Sequence, residues 1–195
     1  LDLEKCQRFT EIEAVTVVDA RARLTDGLPV EFYDTYGTTL APRLLKAYQE
    51  AHQKVILPKS LREALIVVLP KPGRDPLEVS SYRPLSMFNI DYKILSKALS
   101  NRLLPLLRTL VHHDQCGFIP TRATSHNIRR LCRIMGASAA LGDLPVAVSL
   151  DFEKAFDTLG WTYLITVLEA MGIGPVFLKW VTLLYMLPRA SVKTG

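Results

Sequence analysis

The chain has 195 residues, 49% hydrophobic and 22% charged, with 24 Lys and Arg against 19 Asp and Glu and a formal net charge of +5. That balance excludes a disordered polyelectrolyte and leaves enough apolar residues for a core. No apolar run reaches the roughly 18 residues that cross a bilayer, and the positive charge favours a polyanionic partner without requiring one.

Cys6, Cys116 and Cys132 are widely spaced and form no C-x-x-C pair. Neither a zinc cluster nor a disulfide framework is indicated, and reduced, intracellular thiols are expected. The N-terminus, Leu1-Asp2-Leu3-Glu4-Lys5, has no initiator methionine and no signal-peptide pattern. The chain is therefore expected to be cut from a longer product.

Thr10 and Glu13 form a T-x-x-E capping box that predicts a helix to about Leu24, broken by the Gly and Pro of "TDGLP". Pro42 suits the first turn of a second helix carrying Leu44, Leu45 and Tyr48. The β-branched run "ALIVVL" (64–69) predicts a buried strand, "PKPGRDP" (70–76) a charged turn, and "SSYRPLSMFN" (80–89) an extended return. A helix from Ile90 carries Ile94, Leu95, Ala98, Leu99 and Leu103 on one stripe, with Lys93 and Lys97 off it, and Pro105 should kink or end it.

After the loop "HHDQCGFIPTR" (112–122), a helix over 126–140 is expected to turn Ile128, Leu131 and Met135 inward. The run Val146–Leu150 reads as a buried strand. Helices over 162–171 and from Gly174-Pro175 to near Pro188 follow, then an extended "RASVKTG" (189–195). The dispersed strands predict an α+β domain with a small, incomplete antiparallel sheet rather than a doubly wound one.

Asp151 sits where the 146–150 run ends, and its residue type allows three uses. A covalent aspartyl nucleophile of the haloacid-dehalogenase kind would need a second Asp at 153, where Glu153 stands. A hard-metal ligand suits a carboxylate fixed at a strand end, because Mg²⁺ takes oxygen donors. A helix cap, by Asp151 or Asp157, is the plain structural alternative. Lys71 and Arg83, taken by themselves, read as solvated loop charge. His112 and His113 beside Cys116 make a poor metal site, with no second cluster to complete it.

Four blocks in order, "LPKPGRDP", "YRPLSMFNIDYKILSKALSNRL", "HHDQCGFIPTRATSHNIRRL" and "VSLDFEKAFDTLGW", resemble the reverse transcriptase of non-LTR (LINE-type) retrotransposons. The likeness extends back through "DGLPVEFY" and forward to the last residue. It implies an N-terminal helical extension (1–60), a fingers-like region (61–145) and the first part of a palm (146–195). It also implies an RNA template, a DNA primer, dNTPs and Mg²⁺, and no membrane.

By this resemblance Asp151 matches the acid that binds the metal ions, with Phe152 adding its backbone carbonyl. Phe156 matches the bulky side chain that collides with a ribose 2′-hydroxyl. Lys71 and Arg83 match residues that grip the incoming triphosphate, and Gln115 falls near the nucleotide pocket. Arg122, Lys93 and Lys97, with Arg102, Arg129, Arg130 and Arg133, are candidates for template or primer phosphates. Tyr92 is expected in the core.

Three departures qualify the likeness. "ARARLT" replaces a proline- and glycine-rich turn before "DGLP", and Thr121 stands where glycine usually precedes Arg122. No Asp-Asp dipeptide occurs anywhere in the sequence, so the paired-aspartate palm motif is not in it, and that motif and the thumb are expected in downstream segments. The chain alone is expected to be inactive. The alternative from another class is a non-enzymatic nucleic-acid-binding remnant of a retroelement.

Overall fold

A computed structural model describes residues 27–142 and 145–193; the helix expected over 10–24 lies outside them. The elements run α1 (Val30–Lys54), β1 (Glu63–Pro70), β2 (Tyr82–Phe88), α2 (Ile90–Leu110), α3 (Thr124–Ala140), α4 (Trp161–Ala170), α5 (Pro175–Tyr185) and β3 (Arg189–Lys193). The mixed α+β class read from the sequence is what forms.

The sheet differs in one respect from the antiparallel one expected. Its order is β2-β1-β3, with β1 central. β1 and β2 pair antiparallel, with Leu69 opposite Arg83 and Ala64 opposite Phe88. β3 pairs parallel to β1, with Glu63 opposite Arg189 and Val67 opposite Lys193. The parallel pair needs a long crossover, and 118 residues of chain between Pro70 and Arg189 supply it by subtraction of the strand ends.

The chain divides into two compact units, one of residues 27–99 with 172–193 and one of 100–171 among those described. In the first, Tyr48, Ala51, Leu57, Leu61, Leu95, Leu99 and Leu183 form one buried cluster, and Tyr33, Ile90 and Ile94 a second. These residues come from α1, α2, α5 and the turn before β1, so distant parts of the sequence share one apolar interior. Two polar groups at the seams find partners: the Tyr48 hydroxyl donates to the Asp91 carbonyl (2.8 Å), and the buried Asn89 amide to the Ser60 carbonyl (3.0 Å); His52 Nε2, in a ring packed on Trp180 at 4.5 Å, is buried without one. Tyr92 packs half-buried against the core and stacks on Phe88 at 4.6 Å. Burial, and then the neighbouring Tyr185, push the Tyr92 hydroxyl above its ordinary range.

Several sequence expectations are corrected. Pro42 does not open a helix; it lies inside α1, which begins twelve residues earlier at Val30. Leu40 and Leu44 flank it and pack onto the second cluster, and this burial opposes the helix-breaking effect of the lost N–H. α2 does not end at Pro105 but continues through it to Leu110, which leaves the kink as the alternative expected there. α3 forms where expected but buries nothing: Ile128, Leu131 and Met135 are exposed. The stripe is one-sided, yet no described element covers it.

The strand read over Val146–Leu150 does not form. The segment is irregular, and Val146, Val148 and Leu150 are 86%, 76% and 85% exposed. A strand is held by its ladder to a neighbour, and no described strand pairs with this run. Hydrophobicity alone gave the signal, and hydrophobicity does not supply a partner.

Candidate nucleotide and nucleic-acid site

Lys71 and Arg83 sit at the distal end of the β1–β2 hairpin, whose last pair is Pro70 with Tyr82. The turn between them is closed by hydrogen bonds within itself. The Lys71 amide donates to the Ser81 carbonyl (2.8 Å), the Leu77 amide to Asp75 Oδ1 (2.9 Å), and the Tyr82 hydroxyl to the Pro76 carbonyl (2.9 Å). Gly73 takes φ +71° there, which only glycine adopts without strain. The Lys71 ammonium donates to the Ser80 carbonyl at 2.7 Å. It stays partly accessible, while Arg83 is exposed.

The strand register adds two residues that sequence reading passed over. Residues paired across a sheet share a face, so Arg83, beside Leu69, lies on the face that also carries Lys193, beside Val67, and Arg189, beside Glu63. Among the described residues none of the three cations has an ion pair; Glu63 is taken by Lys59 at 3.5 Å. The alternation of "RASVK" carries this signal, but only once the register is known. Lys93 is half-buried and Lys97 exposed on α2 in the same unit.

The second unit carries the remaining candidates. Asp151 is exposed, with no hydrogen bond or ion pair among the described residues. It caps no helix: α4 starts at Trp161, its N-cap is Gly160, and no side chain bonds the cap. Asp157 does not cap it either; its amide closes a turn on the Lys154 carbonyl at 2.9 Å. Lys154 sits in the left-handed region at φ 51°. The turn leaves Phe152 and Phe156 82% and 78% exposed.

Arg122 is committed differently from the other cations. One terminal nitrogen donates to the carbonyls of His112 (2.7 Å) and Gln115 (3.0 Å). The other donates to Arg108 (2.9 Å) and Val111 (3.2 Å). The guanidinium thus satisfies open carbonyls at the end of α2 and holds the following loop. Gln115 spends its amide on the Gly117 carbonyl at 3.3 Å. Beyond the loop, the Phe118 ring meets Phe156 edge to face, with centroids 6.0 Å apart.

His112, His113 and Asp114 bring three donor atoms within 4.8 Å of one another. Arg130 already occupies that group: its guanidinium bonds the Asp114 carboxylate and lies 3.0 Å from His113 Nε2. A guanidinium among the donors opposes a second cation there; the third donor is Asp114, not the Cys116 considered from sequence. Cys116 and Cys132 are free thiols, and among the described residues no helix is long and apolar enough to cross a membrane.

Residues 69–194 match the reverse transcriptase (RNA-dependent DNA polymerase) family. The chain is similar to the transposon TX1 uncharacterized 149 kDa protein of Xenopus laevis, 36% identical over 86% of this chain and 13% of that protein. It is also similar to the probable RNA-directed DNA polymerase from transposon BS of Drosophila melanogaster, 26% identical over 62% of the chain and 14% of the relative. A third relative is the RNA-directed DNA polymerase from mobile element jockey of Drosophila melanogaster, 29% identical over 51% and 11%. The chain spans 14% or less of each of these relatives. With the match covering well over half its length, the chain belongs to the reverse transcriptase family, as a segment of a non-LTR retrotransposon reverse transcriptase.

Proposed function

We propose that this segment supplies the fingers (61–145) and the opening of the palm (146–195) of an RNA-directed DNA polymerase, preceded by an N-terminal helical extension (1–60). The observation that carries the reading is Asp151, a carboxylate left exposed and, among the described residues, without a protein partner, in the block that resembles the family's first palm motif. Its oxygens and the Phe152 carbonyl are hard donors that fit Mg²⁺. When bound, Mg²⁺ supplies the charge that activates a primer 3′-hydroxyl and stabilises the leaving phosphate oxygen.

In this reading Lys71 and Arg83 grip the triphosphate, with Arg189 and Lys193 extending the basic sheet face. Phe156 stands under the sugar, and Gln115 borders the nucleotide pocket. Lys93 and Lys97 meet phosphates of the RNA template or DNA primer, and Arg122 serves the same end through the loop it holds. Phe156→Val is expected to raise ribonucleotide incorporation about ten- to a hundredfold relative to dNTPs, since the ring excludes a hydroxyl by shape alone. Competition between labelled dNTP and rNTP measures the ratio; an unchanged ratio removes Phe156 from this role.

The 195-residue chain, having one of the required acids and no Asp-Asp pair, is expected to bind an RNA–DNA duplex but to extend no primer. Binding should weaken with salt at a log–log slope steeper than about −2, one increment of roughly 0.7–0.9 for each phosphate contacted. Lys97→Gln should make the slope shallower by about one such increment. A slope near zero would remove phosphate contact as the basis of binding. Salt-dependent binding by a full-length polypeptide that never extends a primer would instead favour a non-enzymatic remnant.

A further inference from the structure

The loop between α2 and α3 places a bulky residue in an unfavourable backbone region. Phe118 has φ 61° and Thr121 φ 73°, values that side chains other than Gly, Asn and Asp seldom adopt. The loop is fixed on both sides of Phe118. Ile119 next to it is buried, 7% exposed. Arg122, three residues further on, is tied to the Arg108, Val111, His112 and Gln115 carbonyls.

Burial of the Phe118 ring does not account for this conformation, because the side chain is 86% exposed. Among the described residues its one ring contact is Phe156, at 6.0 Å and an interplanar angle of 80°, within the range of favourable edge-to-face pairs. Phe156 itself is 78% exposed on an irregular turn, so little else restrains its ring. A side chain that discriminates by collision must not swing away from the group it rejects.

We propose that Phe118, presented by the Arg122-braced loop, buttresses Phe156 and is a specificity-determining residue for the sugar of the incoming nucleotide. Phe118 acts on Phe156 rather than on the nucleotide, so it is a positioning residue. The assignment rests on the polymerase reading of Phe156.

Two measurements test it. The first uses the 195-residue chain with 4-fluorophenylalanine placed at position 156 and read by fluorine NMR. Phe118→Leu and Arg122→Lys should each move the resonance, while Leu77→Ala, at a 90% exposed site in the other unit, should not. Arg122→Lys keeps the charge but loses the fork that reaches the carbonyls. A resonance unmoved by Phe118→Leu overturns the contact.

The second compares dNTP with rNTP incorporation, as a ratio of kcat/KM, in the full-length polypeptide that carries this segment. Phe118→Gly relieves the left-handed backbone while removing the ring. A purely structural role therefore predicts no loss of discrimination. The buttress predicts a fall of roughly three- to tenfold, the worth of such a ring pair, and no further fall in a Phe156→Val background. Normal synthesis with an unchanged ratio sinks this assignment alone. No synthesis by the wild type sinks the polymerase reading and the buttress with it.

Discussion

Asp151→Ala is expected to lower RNA-templated nucleotide addition by the full-length polypeptide by about 10³-fold or more, the order expected when several kcal/mol of metal-borne charge stabilisation is lost. The side chain makes no hydrogen bond or ion pair among the described residues, so its removal should leave the fold's stability within about 0.5 kcal/mol. Asp151→Asn separates charge from shape. It keeps the size and one acceptor oxygen but not the anion, and is expected to be nearly as inactive as Ala. Single-turnover incorporation of one dNTP, with thermal unfolding alongside, makes the comparison. Asn at a tenth of the wild-type rate or better would mean that the carboxylate charge is not used.

Leu183→Ala should cost about 2–5 kcal/mol of stability, the largest effect foreseen for a single truncation in the core. Leu183 is 0% exposed and joins α5 to a cluster drawn from α1, α2 and the turn before β1. The loss has two parts, the transfer energy of the missing methyls and the cavity they leave. α5 is followed closely by β3, whose only ladder among the described residues is to β1, so protection of β3 amides should fall with the same substitution. Urea unfolding of Leu183→Ala beside Leu77→Ala checks the effect, since Leu77 is 90% exposed. Equal midpoints would mean that the cluster is not the core.

What the sequence disclosed depended on whether a signal was local. "ALIVVL" gave β1 and Gly174-Pro175 gave the start of α5, because β-branched runs and N-terminal prolines act on their own backbone. Pro42 misled as a local signal, because tertiary packing of Leu40 and Leu44 outweighed it, and Pro105 did not end α2. Val146–Leu150 and the α3 stripe failed in the other direction. Their apolar pattern is real, but burial requires a facing surface that pattern alone does not specify.

The candidate site follows the same rule. The block around Asp151 was picked out by residue types and order, and among the described residues its carboxylate is exposed and makes no hydrogen bond or ion pair. Arg122 could be recognised as a cation but not as one spent on four carbonyls, since those come from Arg108 to Gln115 and meet only in three dimensions. The sheet face shared by Arg83, Arg189 and Lys193 required the parallel register of β3, which no spacing rule supplies.

The most direct measurement of the central claim is iron-mediated cleavage. In the full-length polypeptide with RNA template, DNA primer and dNTP bound, Fe²⁺ in place of Mg²⁺ generates hydroxyl radicals that cut the chain beside the ion. Hydrogen peroxide is added as the oxidant, reduced by Fe²⁺ to hydroxide and hydroxyl radical, with ascorbate returning Fe³⁺ to Fe²⁺. The account predicts cuts within a few residues of Asp151, suppressed by excess Mg²⁺ and lost in Asp151→Ala. Cuts elsewhere only, or an identical pattern in Asp151→Ala, would contradict it.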